Sequence, residues 1–547
     1  MIIYSPKTQN SKPIPGDVTM IPNLLLPLTD WNPQFFREVK GRFKPKNIGI
    51  AIAGSLAAQS MLLLFLWMAL PSSIKDDYNR YCLSQGSYYE RQCILDAAGN
   101  LLINWQLWWF DLFAILSWLL PLLLIVGGVY QLIADLAKEE RRGTLNFLRL
   151  SPQTSQSILI GKLLGVPLVL WLAAIVAVPL HLWSASVAAV STPAVLSIYL
   201  VTLMTCGFFY TGAVLYALLG KAQAWLGAGG AWFGYSIVFL AWQSTGEYAA
   251  GRLYLGPQKW YFLSINQSLL LSVLFASIIC VLGALGIWKA INRRFRNPSS
   301  TLISKRQSYI MTLGFEIFLL GFAVRYIDKN FFHLIPDLIS FIVGNTIWFL
   351  ALMVALTPQR QVLLDWTRYR QNHDFQYHPH QRSLLRDLMS GEKSPALVAI
   401  ALNLLISVAV LAPWIISWGD AKLQTTAFLG LLFSSLFLLI CATLIQSTMM
   451  IKSHKRTISL AILLGLPVVI LPIFLLIFRF NLNSNQALLW LFSAFALPGL
   501  VTASIQTIAF GLLAHIATLA ILMTHATHQL RQAGKSELKA LLAKRQI

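Results

Sequence analysis

Few residues of this 547-residue chain are of types that do chemistry, and they gather in a handful of places. The densest is residues 137–165, "AKEERRGTLNFLRLSPQTSQSILIGKLLG", where Lys138, Glu139, Glu140, Arg141 and Arg142 cluster between two apolar runs. Another is Glu316, a single carboxylate inside the apolar stretch "SYIMTLGFEIFLLGF". An ionisable group in such a run is costly, which makes Glu316 a candidate translocation site. It could bind a proton or a cationic substrate group, or hydrogen-bond a neighbouring helix. Asp111, near the end of another run, is expected to face interfacial water. Cys82 and Cys93 share the loop 71–105 and can form a disulfide in an oxidising compartment, whereas Cys206, Cys280 and Cys441 read as small apolar residues. His373, His378 and His380 lack companions at metal-ligand spacing, so a solvated loop and no metal are expected. No catalytic triad, H-E-x-x-H or paired carboxylates occur. Gly161-Lys162 and Gly220-Lys221 lack the earlier Gly and the following Ser or Thr of a phosphate-cradling loop. The chain is expected to be no enzyme, to have no catalytic residue and to hold no cofactor of its own.

The elements that carry these residues are set by composition. The chain is 56% hydrophobic and 12% charged, where a soluble protein of this size carries about 25% charged residues. Apolar runs long enough to cross a bilayer recur and do not alternate as barrel strands do. Spans are expected at 48–70, 106–134, 158–188, 194–219, 225–242 and 267–290, then at 309–325, 336–356, 396–418, 424–450, 457–478 and 503–526. The fold class is an all-α polytopic membrane protein of about 12 transmembrane helices in two six-helix halves. If the N-terminus is cytoplasmic, most of the 42 Lys and Arg fall on the cytoplasmic side, with the C-terminus there too. The net charge of +21 is then topology, with contact to anionic membrane lipids as a by-product and no nucleic-acid partner. The first 47 residues show no signal-peptide pattern, so the first span is expected to direct insertion.

The chain divides accordingly. Residues 1–47 form a cytoplasmic N-terminus containing a helix that lies in the headgroup plane. Phe35, Phe36, Val39 and Phe43 share its apolar face, opposite Arg37, Lys40, Arg42, Lys44 and Lys46. Residues 48–290 are the first six-helix half, 291–308 a basic linker, 309–526 the second half and 527–547 a cytoplasmic tail. In each half a charged cytoplasmic segment follows the second span, at 135–157 and at 357–395. Before each last span lies a stretch that does not read as a clean helix, "STGEYAAGRLYLGPQKWYFLSINQ" and "LLWLFSAFALPGL", expected as re-entrant hairpins packed on protein.

Within residues 137–157 Gly143 permits a sharp turn and Thr144 can cap a short helix, with Leu145, Leu148 and Phe147 on its apolar side. Ser151-Pro152 ends that helix, and Ser155 or Ser157 starts the third span. The pattern of Glu140, Arg142, Gly143, Thr144 and Leu145, then Ser151-Pro152 and Gly161-Lys162, resembles the permease subunits of ABC-2 type exporters. Asn32, Pro33, Arg37 and Glu38 resemble that family's N-terminal interfacial helix, and "RRFRNP" its sixth-span exit, so the resemblance covers residues 31–300. It implies a coupling helix docked on a separate cytoplasmic ABC ATPase that carries ATP and magnesium. Glu139, Glu140, Arg142, Gly143, Thr144, Leu145 and Leu148 would form the coupling surface.

The second half departs from the family. Arg386, Asp387, Glu392 and Lys393, followed by Ser394-Pro395, look like a degenerate second coupling surface without the Gly-Thr-Leu element. One chain would then supply both membrane halves; the competing arrangement is a homodimer. The expected function is ATP-driven export of a lipid, drug-like or other amphipathic substrate across a bacterial inner membrane. An ion-coupled secondary transporter using Glu316 and a non-transporting membrane scaffold are the alternatives.

Overall fold

Lipid offers the backbone no hydrogen-bond partners, so each long apolar run closes its bonds within itself as a helix. The computed structural model describes residues 31–71, 79–85, 92–95, 101–220, 222–243, 259–265, 267–324, 331–372, 383–451, 456–477 and 487–545. Among these the chain is almost wholly helical, and its strands are two two-residue hairpins. Nine helices among the described residues are long and apolar enough to cross a membrane. The expected runs at 225–242, 309–325 and 457–478 are not among the nine. The middle one opens with Lys305, Arg306 and Gln307 and keeps Ser308, Thr312 and Glu316 on its buried face. The last is a shorter apolar helix, Ile462–Ile477, that passes through a π turn, Leu466–Ile470, containing Pro467. His373, His378 and His380, residues 1–30 and much of the first expected hairpin lie outside the described residues.

Two compact units form, Met1–Val195 with Leu219–Phe233, and Leu196–Leu218 with Gly234–Ile547. The first contains α1 (Pro33–Arg42), α2 (Pro45–Met68), α3 (Trp105–Leu122), α4 (Gly128–Arg142), α5 (Thr144–Arg149), α6 (Ser155–Gly165) and α7 (Leu168–Val187). The helix expected from residue 158 is thus interrupted at Val166–Pro167, and the candidate span begins at Leu168. By contrast α3 and α4 run on as one 38-residue rod, through a π turn at Leu123–Gly127 that follows Pro121. At about 1.5 Å per residue it outreaches a hydrocarbon core about 30 Å thick. Its charged last turns can therefore stand clear of lipid.

A hairpin of β1 (Ser84–Gln85) and β2 (Gln92–Cys93) is tied by a disulfide between Cys82 and Cys93. Arg80 pairs with Asp111 at 2.8 Å, and the Tyr81 hydroxyl donates to Asp111 at 2.7 Å. Asp111 therefore anchors this hairpin to α3 instead of simply facing water. Burial, then the Asp111 hydrogen bond, push the Tyr81 hydroxyl pKa up to about 12.

Helix α1 packs along α6. Asn32 caps α1 by accepting from the Phe35 amide at 3.0 Å, and its own amide donates to the Ser157 carbonyl at 2.8 Å. The residues α1 buries are Gln34, Glu38 and Val39. The expected phenylalanine face is only half-buried, and a polar edge meets the protein instead. Two glycines one turn apart allow this approach. A Cβ on Gly161 would sit 2.7 Å from the Phe35 amide nitrogen, and one on Gly165 would sit 2.5 Å from the Glu38 Cβ.

Helices α8 (Thr192–Leu218) and α9 (Ala224–Gln243) each have residues in both units. The second unit continues with β3 (Lys259–Trp260), β4 (Leu263–Ser264), α10 (Leu269–Arg296), α11 (Lys305–Ala323), α12 (Phe331–Leu356) and α13 (Arg360–Asn372). Then come α14 (Leu384–Ser390), α15 (Leu397–Ile416), α16 (Ala421–Met450), α17 (Arg456–Gly465), α18 (Leu471–Ile477), α19 (Ala487–Leu491), α20 (Leu497–Thr502) and α21 (Ile505–Arg545). Its core joins Phe349, Leu352 and Met353 of α12 to Ile400 and Leu404 of α15 and Phe437, Leu438 and Cys441 of α16. Helices α19 and α20 fold back on each other, where a Cβ on Gly499 would lie 2.7 Å from the Ala487 carbonyl.

The glycine contacts give a direct test of the α1–α6 packing. Gly161→Ala should destabilise the protein by about 1–3 kcal/mol, because a backbone atom must move. Gly54→Ala, with nothing within 4 Å, should be neutral. Thermal melting of the detergent-solubilised full chain compares them.

Candidate functional site

The end of α4 and the body of α6 meet α1 at one side chain. Lys162 is 1% exposed, and its ammonium lies 2.6 Å from Glu139, 2.7 Å from Asp135 and 2.8 Å from Glu38. Each helix supplies its part by spacing. Asp135 and Glu139 are one turn apart on α4, and Glu38 projects from α1 over Gly165. A ring of arginines completes the balance. Arg42 reaches Asp135 at 2.6 Å and Glu38 at 3.2 Å, and Arg37 reaches Glu139 at 3.0 Å. Three carboxylates thus face three cations. Burial opposes charge on Lys162, but Asp135, Glu38 and Glu139 overcome that and hold its pKa above the ordinary lysine value. The carboxylates lie within 4.8 Å of one another, a spacing that could hold a metal ion, and the ammonium takes that place.

The short helix α5 hangs from this cluster. Gly143 adopts a left-handed turn, φ 73°, that closes α4 and opens α5. Thr144 is not the cap expected; it is the first helical residue, and its hydroxyl donates to the Glu139 carbonyl at 3.3 Å. Leu145 and Leu148 are buried and fix α5 to the unit, while Phe147 is 76% and Leu150 86% exposed. Glu140, Arg142 and Thr144 are exposed beside them, and Glu139 is drawn into the lysine cluster. Ser151 accompanies the expected stop, its hydroxyl donating to the Leu148 carbonyl at 2.8 Å. The cap of α6 is Thr154, which accepts from the Ser157 amide, rather than Ser155 or Ser157.

In the second unit the acidic and basic residues at 386–393 separate. Asp387 turns inward, accepting from the Trp366 indole at 2.6 Å and pairing with Arg370 at 2.9 Å. Burial would raise its pKa, but those bonds and the Arg370 and Lys305 charges hold it below the usual carboxylate value. Glu392 pairs with Arg293 at 2.7 Å, and Arg386 and Lys393 are exposed. The buried cation here is Lys305, held by neutral oxygens: the Leu388 carbonyl and Ser394 hydroxyl at 2.7 Å, and the Pro395 carbonyl at 2.8 Å. Burial lowers its pKa to about 8, with Asp387 opposing. Glu316 lies within α11, fully buried, beside Asn345 of α12.

Sequence reasoning singled out Lys162 only as part of a motif and missed Asp135, Glu38 and Lys305 as partners in burial. The available signal was a lysine one residue from a glycine pair at helical spacing, beside acids one turn apart.

Nine helices among the described residues are long and apolar enough to span, with outward faces such as Met61 at 75% and Met68 at 83% exposed, which is consistent with a multi-pass helical membrane protein. Comparison with protein families, curated proteins and solved structures finds no match to the chain.

The two buried lysines make opposite predictions. Lys162→Met strands three carboxylates and should cost about 3–5 kcal/mol, partly recovered by Glu38→Gln in the same chain. Because the folded-state pKa of Lys162 is raised, its contribution is full below the unfolded value of 10.5 and lost as pH rises through the folded value. A pH series of denaturation midpoints, wild type against Lys162→Met, reads this. For Lys305 the folded-state value is depressed, so stability should rise with pH between about 8 and 10.5. Lys305→Met should abolish that rise in the same series.

Proposed function

We propose that the chain is the membrane subunit of an ATP-driven ABC-2 type exporter for a lipid, drug-like or other amphipathic substrate, working with a separate cytoplasmic ABC ATPase. The observation that carries this reading is α5, a one-and-a-half-turn helix fixed by buried Leu145 and Leu148 that presents Phe147 and Leu150 outward. A surface of two large apolar residues rimmed by Glu140, Arg142 and Thr144 suits a protein partner better than water. Its root is the Lys162 cluster, so a push on α5 is delivered to α4, and through the continuous rod to α3 within the bilayer. On this reading the stretches 225–242, 309–325 and 457–478 add to the nine helices, giving about twelve spans in two six-helix halves. The termini and the α5 end are cytoplasmic, and the membrane is a bacterial inner membrane. Residues 386–393 form the second coupling surface, with exposed Leu384, Leu385 and Arg386 in place of the Gly-Thr-Leu element. ATP and magnesium belong to the partner. A second reading, ion-coupled transport, draws its support from the burial of Glu316.

Purification of the tagged full-length chain from its native membranes, scored for a retained ABC ATPase, tests the first reading. Phe147→Asp with Leu150→Asp should reduce retention at least tenfold while the melting midpoint stays within a degree or two, since both side chains are exposed. Transport by reconstituted vesicles that follows a proton gradient and ignores ATP would overturn it.

A further inference from the structure

One face of α11 is polar for most of its length. Lys305, Ser308, Thr312 and Glu316 recur at helical spacing, and all are buried, the last three 0% exposed. Neutral polar groups from facing helices continue this face. Asn403 of α15 donates to the Ser308 hydroxyl at 2.9 Å, and the Trp348 indole of α12 donates to the Thr312 hydroxyl at 3.1 Å. The Asn345 amide donates to Glu316 Oε2 at 3.4 Å and to the Ser407 hydroxyl at 3.3 Å. These last contacts are long, and Glu316 Oε1, Asn345 Oδ1 and Asn403 Oδ1 have no hydrogen-bond partner. From Lys305 to Glu316 the face runs about 16 Å at about 1.5 Å per residue.

At the other end of α11 aromatic side chains pack against the helix. The Trp260 indole donates to the Phe318 carbonyl at 2.9 Å, and the Tyr261 hydroxyl donates to the Ile317 carbonyl at 2.7 Å. Trp260 packs with Phe275, Phe318 and Phe322 into an aromatic cluster.

Among the described residues no basic group compensates Glu316. The titratable groups on the elements packed around α11 are Lys259 and Tyr261 of the hairpin, Cys280, Lys289, Arg293, Arg294 and Arg296 of α10, His333 and Asp337 of α12, and Arg386 and Asp387 of α14; α15 has none. Among the described residues none of them pairs with Glu316. An ionised carboxylate in such surroundings is unstable relative to its acid, even with the Ser407 hydroxyl and the Asn345 amide as hydrogen-bond partners.

We propose that Glu316 is a proton-binding site, loaded and emptied from the Lys305 end through the polar face of α11. Loading moves a proton from water at that end to a Glu316 oxygen, turning the carboxylate into the neutral acid. Unloading returns it by the same route, and only O–H bonds form and break. The site stands whether or not an ATPase drives the protein, so it is tested on the purified full-length chain alone.

Infrared difference spectra of wild type against Glu316→Gln at neutral pH should show a protonated-carboxyl band that shifts in heavy water and is missing from the variant. Glu316→Gln matches the neutral acid in shape and should keep the wild-type melting midpoint. If it does not fold, Glu316→Asp must move the band rather than leave it in place. Thr312→Val or Asn403→Leu should slow the heavy-water shift at least tenfold. Loss of no band in Glu316→Gln overturns the site, and an unchanged exchange time in both seam variants overturns the route. A melting midpoint that rises with sodium over choline in wild type, and not in Glu316→Gln, would assign the site to sodium and overturn the proton reading.

Discussion

An ammonium removed from water must be given back most of what it loses, and Lys162 is repaid by three carboxylates that come from two other helices. That requirement fixes the architecture of the first unit at its polar end. Glu38 can reach Lys162 only if α1 lies close against α6, which is why Gly161 and Gly165 have no room for a side chain. Asp135 and Glu139 can reach it only if α4 continues as a helix past the lipid, which the unbroken rod from Trp105 provides. The cluster is balanced by Arg37 and Arg42, so no single ion pair is isolated. A network of this kind contributes little net stability compared with a hydrophobic core, but it penalises every arrangement except one. Helix α5, too short to be stable alone, takes its orientation from it.

Lys305 solves the same problem differently. Two carbonyls and a hydroxyl surround it in place of carboxylates, so its charge is poorly compensated and its pKa falls toward 8. One lysine is therefore a locked structural cation, and the other is a weakly held charge at the mouth of a buried polar face. The polar residues Lys305, Ser308, Thr312 and Glu316 of α11 align on one buried side.

The helices themselves show lipid acting as solvent. The first candidate span, Pro45–Met68, buries only Ala51 and Leu66, and its exposed side chains are apolar nearly all round. In water such a helix would have no reason to stay single; in a bilayer its surface is already solvated. Ala421–Met450, by contrast, buries much of its length and forms the centre of the second unit.

Composition and run length were enough to determine the helical membrane class, because the need to satisfy every backbone amide in lipid leaves little choice. Nine of the expected spans correspond to candidate membrane helices among the described residues. The stretch at 309–325 read as an ordinary apolar run, and its polar buried face became visible only in the structure. Gly143 was legible as a turn, since only glycine takes φ of 73° without strain. Leu145 and Leu148 were legible as the inward face of α5, but the outward turn of Phe147 was not, because a six-residue helix has too few turns to show full periodicity. Nor were the partners of Lys162. Glu38 lies 124 residues before it, and nothing local marks the two as neighbours. The sequence by itself determined where charge is scarce and where helices must run. The tertiary structure alone decided which of those charges are buried together, because burial depends on packing between distant segments, while hydropathy and turn chemistry depend on neighbours in the chain.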